Sequence, residues 1–461
     1  MLNMTVAQLL AVTGGQWIAS EKQAADVFDQ IAITSASIDS RAVENNGLFI
    51  AFKGEQVDGH AYIDNAAEKG AVIALVEDDQ AQSAIGQIKV DSCQKAMADI
   101  AKACRQSYNG KVFGITGSCG KTTTKEMLAC ILQVAGKVSV TAGNQNNELG
   151  VPLTLYKVQQ GSDYAVIEMG AAELGDIAYL MAMVVPDVSV VTNVRPAHIG
   201  RFGSEDKIAI AKGEIYTALP ESSVGIVNID EKYAPQWMDS LSDKQVMRYS
   251  TLDNSADVFA DDIQLHLVDS DFTLCNNGEK QAVSIKAAGI HSVYNALAAA
   301  SMALAAGVSL SCIAKGLQNY AGVKSRMQSM SGIWGGTLID DCYNANPGSV
   351  KAAIDVLKQY PQKTILVLGD MGELGSDSLA IHEQVGLYAK NAGISALYSC
   401  GKDSQSATTA FGDSARHFND KNELTRYLQT QLGKDDVVLV KGSRSAAMED
   451  IIKPLTQEVE T

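Results

Sequence analysis

The stretch KVFGITGSCGKTTTKEMLACILQVAG, residues 111–136, decides the fold. It opens as an apolar run of strand composition through Thr116, turns through Gly117, Ser118, Cys119 and Gly120, and continues with apolar residues at helical spacing. Met127, Leu128, Ile131 and Leu132 share one helical face, and Gly136 stands where such a helix would end. Strand, tight turn and helix in that order form the opening unit of a parallel α/β sheet. The same residues carry chemistry. Gly117 and Gly120 let backbone N–H groups face an anion, the helix start adds its partial positive charge, Lys121 can neutralise terminal phosphates and Thr122 can ligate Mg²⁺. Ile115 stands five before Gly120, where the usual G-x-x-x-x-G-K-[ST] spacing has glycine, so the loop reads as a shortened nucleoside triphosphate loop. The competing reading, an ordinary Gly-rich turn with an exposed lysine, leaves the strand, loop and helix order unexplained.

Either side of this unit, the signals change character near residues 88 and 323, which predicts three domains: 1–88, 89–322 and 323–461. Residues 89–322 alternate apolar strands with periodic helices, the pattern of a doubly wound parallel sheet. The last part repeats it, with apolar runs at Thr337–Ile339, Thr364–Leu368, Ala396–Tyr398 and Val437–Val440, each followed by a loop containing Gly, Asp or Ser. Residues 1–88 mix short strand-like runs, Gly47–Phe52 and Ala71–Val76, with polar turns and hold no catalytic constellation; they read as a recognition unit.

Composition narrows the function. A formal charge of −16 and a pI near 4.8 set a field that repels polyphosphate, which argues against nucleic acid and anionic membranes as partners. Any anionic ligand must be held by local donors. The start, MLNMTVAQLLAVTGG, lacks the basic region of a signal peptide. The longest apolar stretch, Ala296 to Val308, is Ala-rich and broken by Ser301 and Gly307, so it reads as a buried helix and no membrane insertion is expected. The eight cysteines are scattered and form no C-x-x-C pair, which fits a reducing cytoplasm and no structural zinc.

Two more strands of the middle part end in residues a magnesium–phosphate site could use. Tyr164–Ile167 runs into Glu168, and Val188–Val194 leads to His198. Ligands of open parallel sheets sit beyond the carboxyl ends of strands, so both can face the phosphate loop. Mg²⁺ prefers oxygen, which favours Glu168; His198 is equally readable as a structural histidine. Lys212, within KIAIAKGEIY, carries no signal by itself, since helical lysines are ordinarily exposed.

Together the phosphate loop, TAGNQNNELGVP (141–152), IEMGAAELGDI (167–177), AKGEIY (211–216), GIHSVYNALAAA (289–300), DDCYNANPGS (340–349), GDMGELG (369–375) and VKGSRSAAME (440–449) resemble the Mur ligases in order and spacing. SIDSRAVENNGLFIAFKGEQVDGH (37–60) resembles the UDP-binding part of that family, although Asn46 stands where proline is usual. The resemblance implies a small α/β UDP-binding N-terminal domain, a central P-loop mononucleotide-binding domain and a C-terminal Rossmann-like domain. It implies a cytoplasmic, monomeric enzyme that uses ATP and Mg²⁺. Four of the segments point to the family member that joins D-Ala-D-Ala to a UDP-N-acetylmuramoyl-tripeptide through an acyl phosphate.

Carried over by position, the resemblance implies ATP contacts at Gly117, Ser118, Cys119, Gly120, Lys121, Thr122, Thr123, Asn295, Arg326 and Asp341. It implies metal contacts at Thr122, Glu168, His198 and Lys212, the last as a carbamate, with Lys121, Glu168, His198, Lys212 and Arg326 serving catalysis. Ser40, Arg41, Lys53 and His60 would hold the UDP end. Asn144, Asn146, Asn147, Tyr343, Asn344, Asn346, Lys441, Ser443 and Arg444 are candidates for the peptide and acceptor. Ser292 replaces a frequent asparagine and is left without a role. Three alternatives compete: a sister ligase adding a single amino acid or a folylpolyglutamate-type enzyme, a P-loop ATPase driving motion or signalling, and a nucleotide-binding protein without turnover. TAGNQNNELGVP and KGSRSAAME count against the first, the UDP-type N-terminal part against the second, and the intact Lys121, Thr122, Glu168 and Lys212 against the third.

Overall fold

The computed structural model describes residues 2–20, 32–54, 57–80, 83–196 and 199–457. Among the described residues three sheets follow one another along the chain. The first has five strands in the order Gln16–Ile18, Gly86–Lys89, Ala71–Val76, Gly47–Ile50, Ser35–Ser37. The second has nine, in the order Glu279–Ile285, Ser270–Asn276, Val258–Leu265, Gln245–Ser250, Val224–Asn228, Val188–Val191, Lys111–Thr116, Tyr164–Glu168, Val138–Val140. The third has six: Gln328–Ser331, Thr337–Asp341, Val437–Lys441, Thr364–Gly369, Ala396–Cys400, Ala415–Phe418.

The expected parallel cores are present, because continuous apolar runs such as Val188–Val191 and Thr364–Gly369 are buried along their whole length, as strands covered by helices on both faces must be. The purely parallel expectation for the middle part needs correction. Ser270–Asn276 pairs antiparallel with both of its neighbours, and its turn to Glu279–Ile285 is Asn277-Gly278 with φ +49° and +82°. Two positive φ values in a two-residue loop make the hairpin turn whose twist matches the strands, and Asn-Gly is its commonest sequence. The edge strands Gln16–Ile18 and Gln328–Ser331 are antiparallel as well.

Helix Lys121–Ala135, which follows the phosphate loop, packs against Ile290–Ala305 and Leu310–Gln318. The Ala-rich stretch read as a buried helix is one, with Ala296 through Ala300 essentially solvent-free. Gly316 lets two helices touch backbone to backbone: a Cβ there would strike the main chain of Ile131. Helix Cys93–Gln106 follows the first sheet and lies against Val6–Thr13, Gly150–Lys157 and Asp176–Val184. One apolar core therefore runs from Leu48 and Ile73 through Met97 and Ile100 to Tyr156 and Ile167.

Between the second and third sheets the chain passes through Gly322, Ser325 and Met327 at φ +87°, +57° and +50°. Asp340 accepts from the Ser325 hydroxyl at 2.8 Å, and Asp341 accepts from the Met327 N–H at 3.2 Å, so two carboxylates hold this left-handed segment in place. Among the described residues no helix is long and apolar enough to cross a membrane.

Candidate active site

The phosphate loop closes at the carboxyl end of Lys111–Thr116, in the middle of the second sheet. Gly120 sits at φ +80° immediately before the helix, and a Cβ there would meet the Asn295 amide oxygen. Gly117, at φ +144°, leaves no room for a Cβ against the Thr192 hydroxyl. Both glycines are demanded by backbone conformation and by close approach. Lys121 folds back so that its ammonium donates to the Gly117 carbonyl at 2.8 Å. Burial lowers its pKa, against the pull of Glu168.

Thr122 and Glu168 meet beside it. The Thr122 hydroxyl donates to Glu168 Oε2 at 2.9 Å, and the Arg326 guanidinium donates to the same hydroxyl at 3.0 Å. Glu168 is buried, and its second oxygen accepts from the Asn146 amide at 2.8 Å. Buried Lys125 donates to the Thr141 carbonyl at 2.8 Å, and the Thr141 hydroxyl accepts from the Glu168 N–H. The two oxygens of Glu168 and Thr122 suit Mg²⁺, which takes one or two protein ligands together with substrate phosphates. Among the described residues no group of three or more His, Cys, Asp or Glu forms a self-sufficient metal cage.

Lys212 is only 2% exposed. Its ammonium reaches the Ala171 carbonyl at 3.2 Å and lies 5.7 Å from the centre of the Phe202 ring. Burial, helped by the positive charge of Lys121, brings its pKa down to about 7. Glu214, two residues on, accepts from the N–H groups of Gly175 and Ala178 and so ties Lys212's helix to the loop after Glu168.

A cavity of about 1010 Å³ joins these groups to the third sheet. Its walls include Gly117 through Thr123, Asn144, Asn146, Asn147, Glu168, Lys212 and Asn295, and from the last part Arg326, Asp341, Tyr343, Asn344, Asn346, Lys441 and Arg444. The guanidinium of Arg326 stacks 4.2 Å over Tyr343, and its buried Nε has no partner among the described residues. Asn346 caps helix Pro347–Leu357 and touches the Cys119 thiol, its amide donating at 3.3 Å. Several candidates serve the protein itself. Lys441 is buried, paired with Asp341 and donating to the Asn344 carbonyl at 3.0 Å. Asn146 holds Glu168, and Asn147 accepts from the Gly150 N–H. Asn344 accepts from the Ala345 N–H at 2.9 Å, and Arg444 pairs with Glu449. Ser443, buried beside Ser445, is not part of the cavity wall. Ser292 donates to the Ala288 carbonyl at 2.8 Å, a bond within its own turn.

The candidates on the first sheet lie away from this cavity. Ser40 is buried, while Arg41 is exposed and closed on Asp39 through two bonds of 2.9 and 2.8 Å, which hold the Asp39 pKa at about 2. Lys53 bridges Asp58 through its backbone. His60 is buried: Nδ1 faces Asp58 at 2.6 Å and Nε2 accepts from the N–H groups of Glu77 and Asp78, so both ring nitrogens are used internally. Asn46 has φ +58°, which a proline ring cannot reach. His198 lies outside the described residues.

Residues 115–303 match the Mur ligase middle domain, 325–444 the Mur ligase glutamate ligase domain, and 32–105 the catalytic domain of the Mur ligase family. The chain is 38% identical over 459 residues, 99% of both chains, to the UDP-N-acetylmuramoyl-tripeptide--D-alanyl-D-alanine ligase of Escherichia coli (strain K12). The chain belongs to the Mur ligase family. A ligase of the same name from Bacillus subtilis (strain 168) is 34% identical over 93% of this Mur ligase and 94% of its own length. MurF from Acinetobacter baumannii superposes with a TM-score of 0.90 at 34% identity, covering 98% of each chain. MurF ligase from Thermotoga maritima in complex with ADP does so at 0.82 and 26%, covering 92% of this chain and 97% of that one.

Sequence reading of this Mur ligase missed the segment Thr192 to Arg195, which grips the phosphate loop. The usable signal was the polar residues Thr192, Asn193 and Arg195 at the end of an apolar strand, where ligands and loops of parallel sheets gather. It also missed Lys125, a lysine one turn into the helix whose burial no periodicity announces.

Proposed function

We propose that the protein is an ATP-dependent ligase that joins D-Ala-D-Ala to a UDP-N-acetylmuramoyl-tripeptide, giving the UDP-muramoyl-pentapeptide, ADP and phosphate. The observation that carries this reading is the meeting of Lys121, Thr122, Glu168 and Arg326 in one cavity between the second and third sheets, in a chain alike over its full length to ligases of that name. Residues 1–88 serve as the UDP-substrate part, 89–322 as the ATP part and 323–461 as the closing part, in a monomeric cytoplasmic enzyme whose cysteines are all free.

A carboxylate is a poor electrophile at neutral pH. Transfer of the ATP γ-phosphoryl group to the tripeptide's terminal carboxylate converts its oxygen into a good leaving group. Attack by the D-Ala-D-Ala amine then forms the C–N bond, breaks the C–O bond to phosphate and releases an amine proton. The protein's task is to bring anions together. Lys121, the helix-start N–H groups and Arg326 supply fixed positive charge where the phosphoryl group moves. Thr122 and Glu168 would hold Mg²⁺, which supplies further charge neutralisation between the phosphates. Lys212, with a pKa of about 7, presents a neutral amine in the physiological range; uptake of CO₂ by that amine forms a carbamate with loss of one proton, a buried anion that would orient the metal. His198 is assigned beside it by resemblance. Asn295 and Asp341 face the nucleoside, and Ser40, Arg41, Lys53 and His60 belong to the UDP end.

The test supplies ATP, Mg²⁺, the UDP-muramoyl-tripeptide and D-Ala-D-Ala singly and together, and reads phosphate release with mass detection. Release that needs both substrates and yields the pentapeptide is expected. Turnover only with a shorter UDP precursor and one amino acid would replace this reading by a sister ligase.

A further inference from the structure

The phosphate loop is held from one side by the segment that follows strand Val188–Val191. The Ser118 N–H donates to the Asn193 carbonyl at 3.0 Å. The Cys119 N–H donates to Asn193 Oδ1 at 3.0 Å, and Asn193 Nδ2 donates back to the Cys119 carbonyl at 3.0 Å. The Thr192 hydroxyl donates to that same carbonyl at 2.6 Å. Ser118 Oγ donates to the Arg195 carbonyl and accepts from the Arg195 N–H, both at 3.0 Å. Arg195 is itself braced by Glu231, which is nearly solvent-free.

This bracket divides the loop's donors. The N–H groups of Ser118 and Cys119 are consumed inside the protein. Among the described residues none accepts from the N–H groups of Gly120, Lys121, Thr122 or Thr123, the orphan donors of a helix start. A side-chain amide that grips both the N–H and the carbonyl of one residue restrains the two peptide planes that flank it. The Cys119 carbonyl and the Gly120 N–H share one planar peptide, so holding that carbonyl sets the direction of the Gly120 N–H.

We propose that Asn193 is a positioning residue for the nucleotide phosphates: it touches no phosphate but, by clamping Cys119 through both its N–H and its carbonyl, aims the free N–H groups of residues 120–123 at them. The inference rests on the nucleotide reading of this loop. It separates phosphate recognition from nucleoside recognition, because Asn193 bonds to Ser118 and Cys119 and to neither nucleoside candidate, Asn295 or Asp341. Removal of the clamp weakens ligands that carry phosphates and leaves adenosine alone.

The experiment is calorimetric titration of the full-length protein with Mg²⁺-ADP and with adenosine, for wild type, Asn193→Ala and Asn193→Asp. Asn193→Asp keeps the size and the acceptor for the Cys119 N–H but sets an oxygen against the Cys119 carbonyl. Loss of one or two such bonds predicts about a tenfold weaker ADP complex, adenosine affinity within about twofold of wild type, and a KM for ATP raised while that for the UDP-tripeptide is unchanged. If thermal unfolding shows Asn193→Ala misfolded, the same split is read on Asn193→Asp and on Thr192→Val. ADP affinity unchanged in the folded variants, or ADP and adenosine weakened alike, overturns the assignment. Wild type that binds no ADP would instead remove the nucleotide reading itself.

Discussion

The candidates on the first sheet and those at the seam between the second and third sheets differ in how fully the fold satisfies them. On the first sheet, both nitrogens of His60 are bonded internally and Arg41 is closed on Asp39. At the seam, Arg326 keeps a buried nitrogen without a partner among the described residues, Lys212 is forced down to a pKa of about 7, and Lys121 is depressed by burial. Chemistry calls for groups that remain electrostatically unbalanced until substrate arrives, and the fold carries the cost. A recognition surface can rest in a self-satisfied state and trade one partner for another.

That contrast can be broken most directly at Lys121. Lys121→Ala is expected to lower kcat by about a thousandfold or more, with little change in thermal midpoint; steady-state kinetics beside a melting curve checks both. Lys212→Met comes next, with a loss of about a hundredfold or more in kcat and a gain in stability. A lysine whose pKa falls from 10.5 unfolded to about 7 folded binds its proton less well when folded, so stability rises with pH from about 7 to about 10.5. Urea unfolding at pH 7 and at pH 9 should show this rise in wild type and lose part of it in Lys212→Met. His60→Ala inverts the pattern: it leaves two backbone N–H groups and Asp58 without the ring, costs about 1–3 kcal/mol of stability and leaves the KM for ATP unchanged. Arg41→Ala, at an exposed pair, should leave the melting curve unmoved and raise only the KM of the UDP substrate, by roughly a fewfold. Equal kinetic damage from His60→Ala and Lys121→Ala would erase the distinction.

Much of this was legible in the sequence where backbone geometry and chemistry coincide. The phosphate loop is such a place, because its glycines are required by conformation, its Lys121 by charge and its Thr122 by a hydroxyl that can ligate Mg²⁺. Glu168 was legible from its place at a strand's carboxyl end. Lys212 was not: its helix, Glu205–Thr217, is packed so that Lys212 is enclosed, and only tertiary packing tells a buried lysine from a solvated one. The roles of Asn146 and Lys441 were hidden for the same reason, since a polar residue in a loop motif can face ligand or hold its neighbour, and here both hold carboxylates. The antiparallel hairpin ending at Ile285 was announced by Asn277-Gly278 and overshadowed by the parallel pattern before it.

The segment that joins the second sheet to the third crosses Gly322, Ser325 and Met327 in the left-handed region. For serine and methionine that region is a narrow well with forbidden ground around it. A strap built this way is held in one conformation by its bonds to Asp340 and Asp341. The last part of the chain meets the phosphate loop and its helix through Arg326 on Thr122 and Asn346 on Cys119. Separating the third sheet from the phosphate loop breaks both of these bonds, whereas the strap's own bonds to Asp340 and Asp341 lie within the last part of the chain and are untouched by that separation.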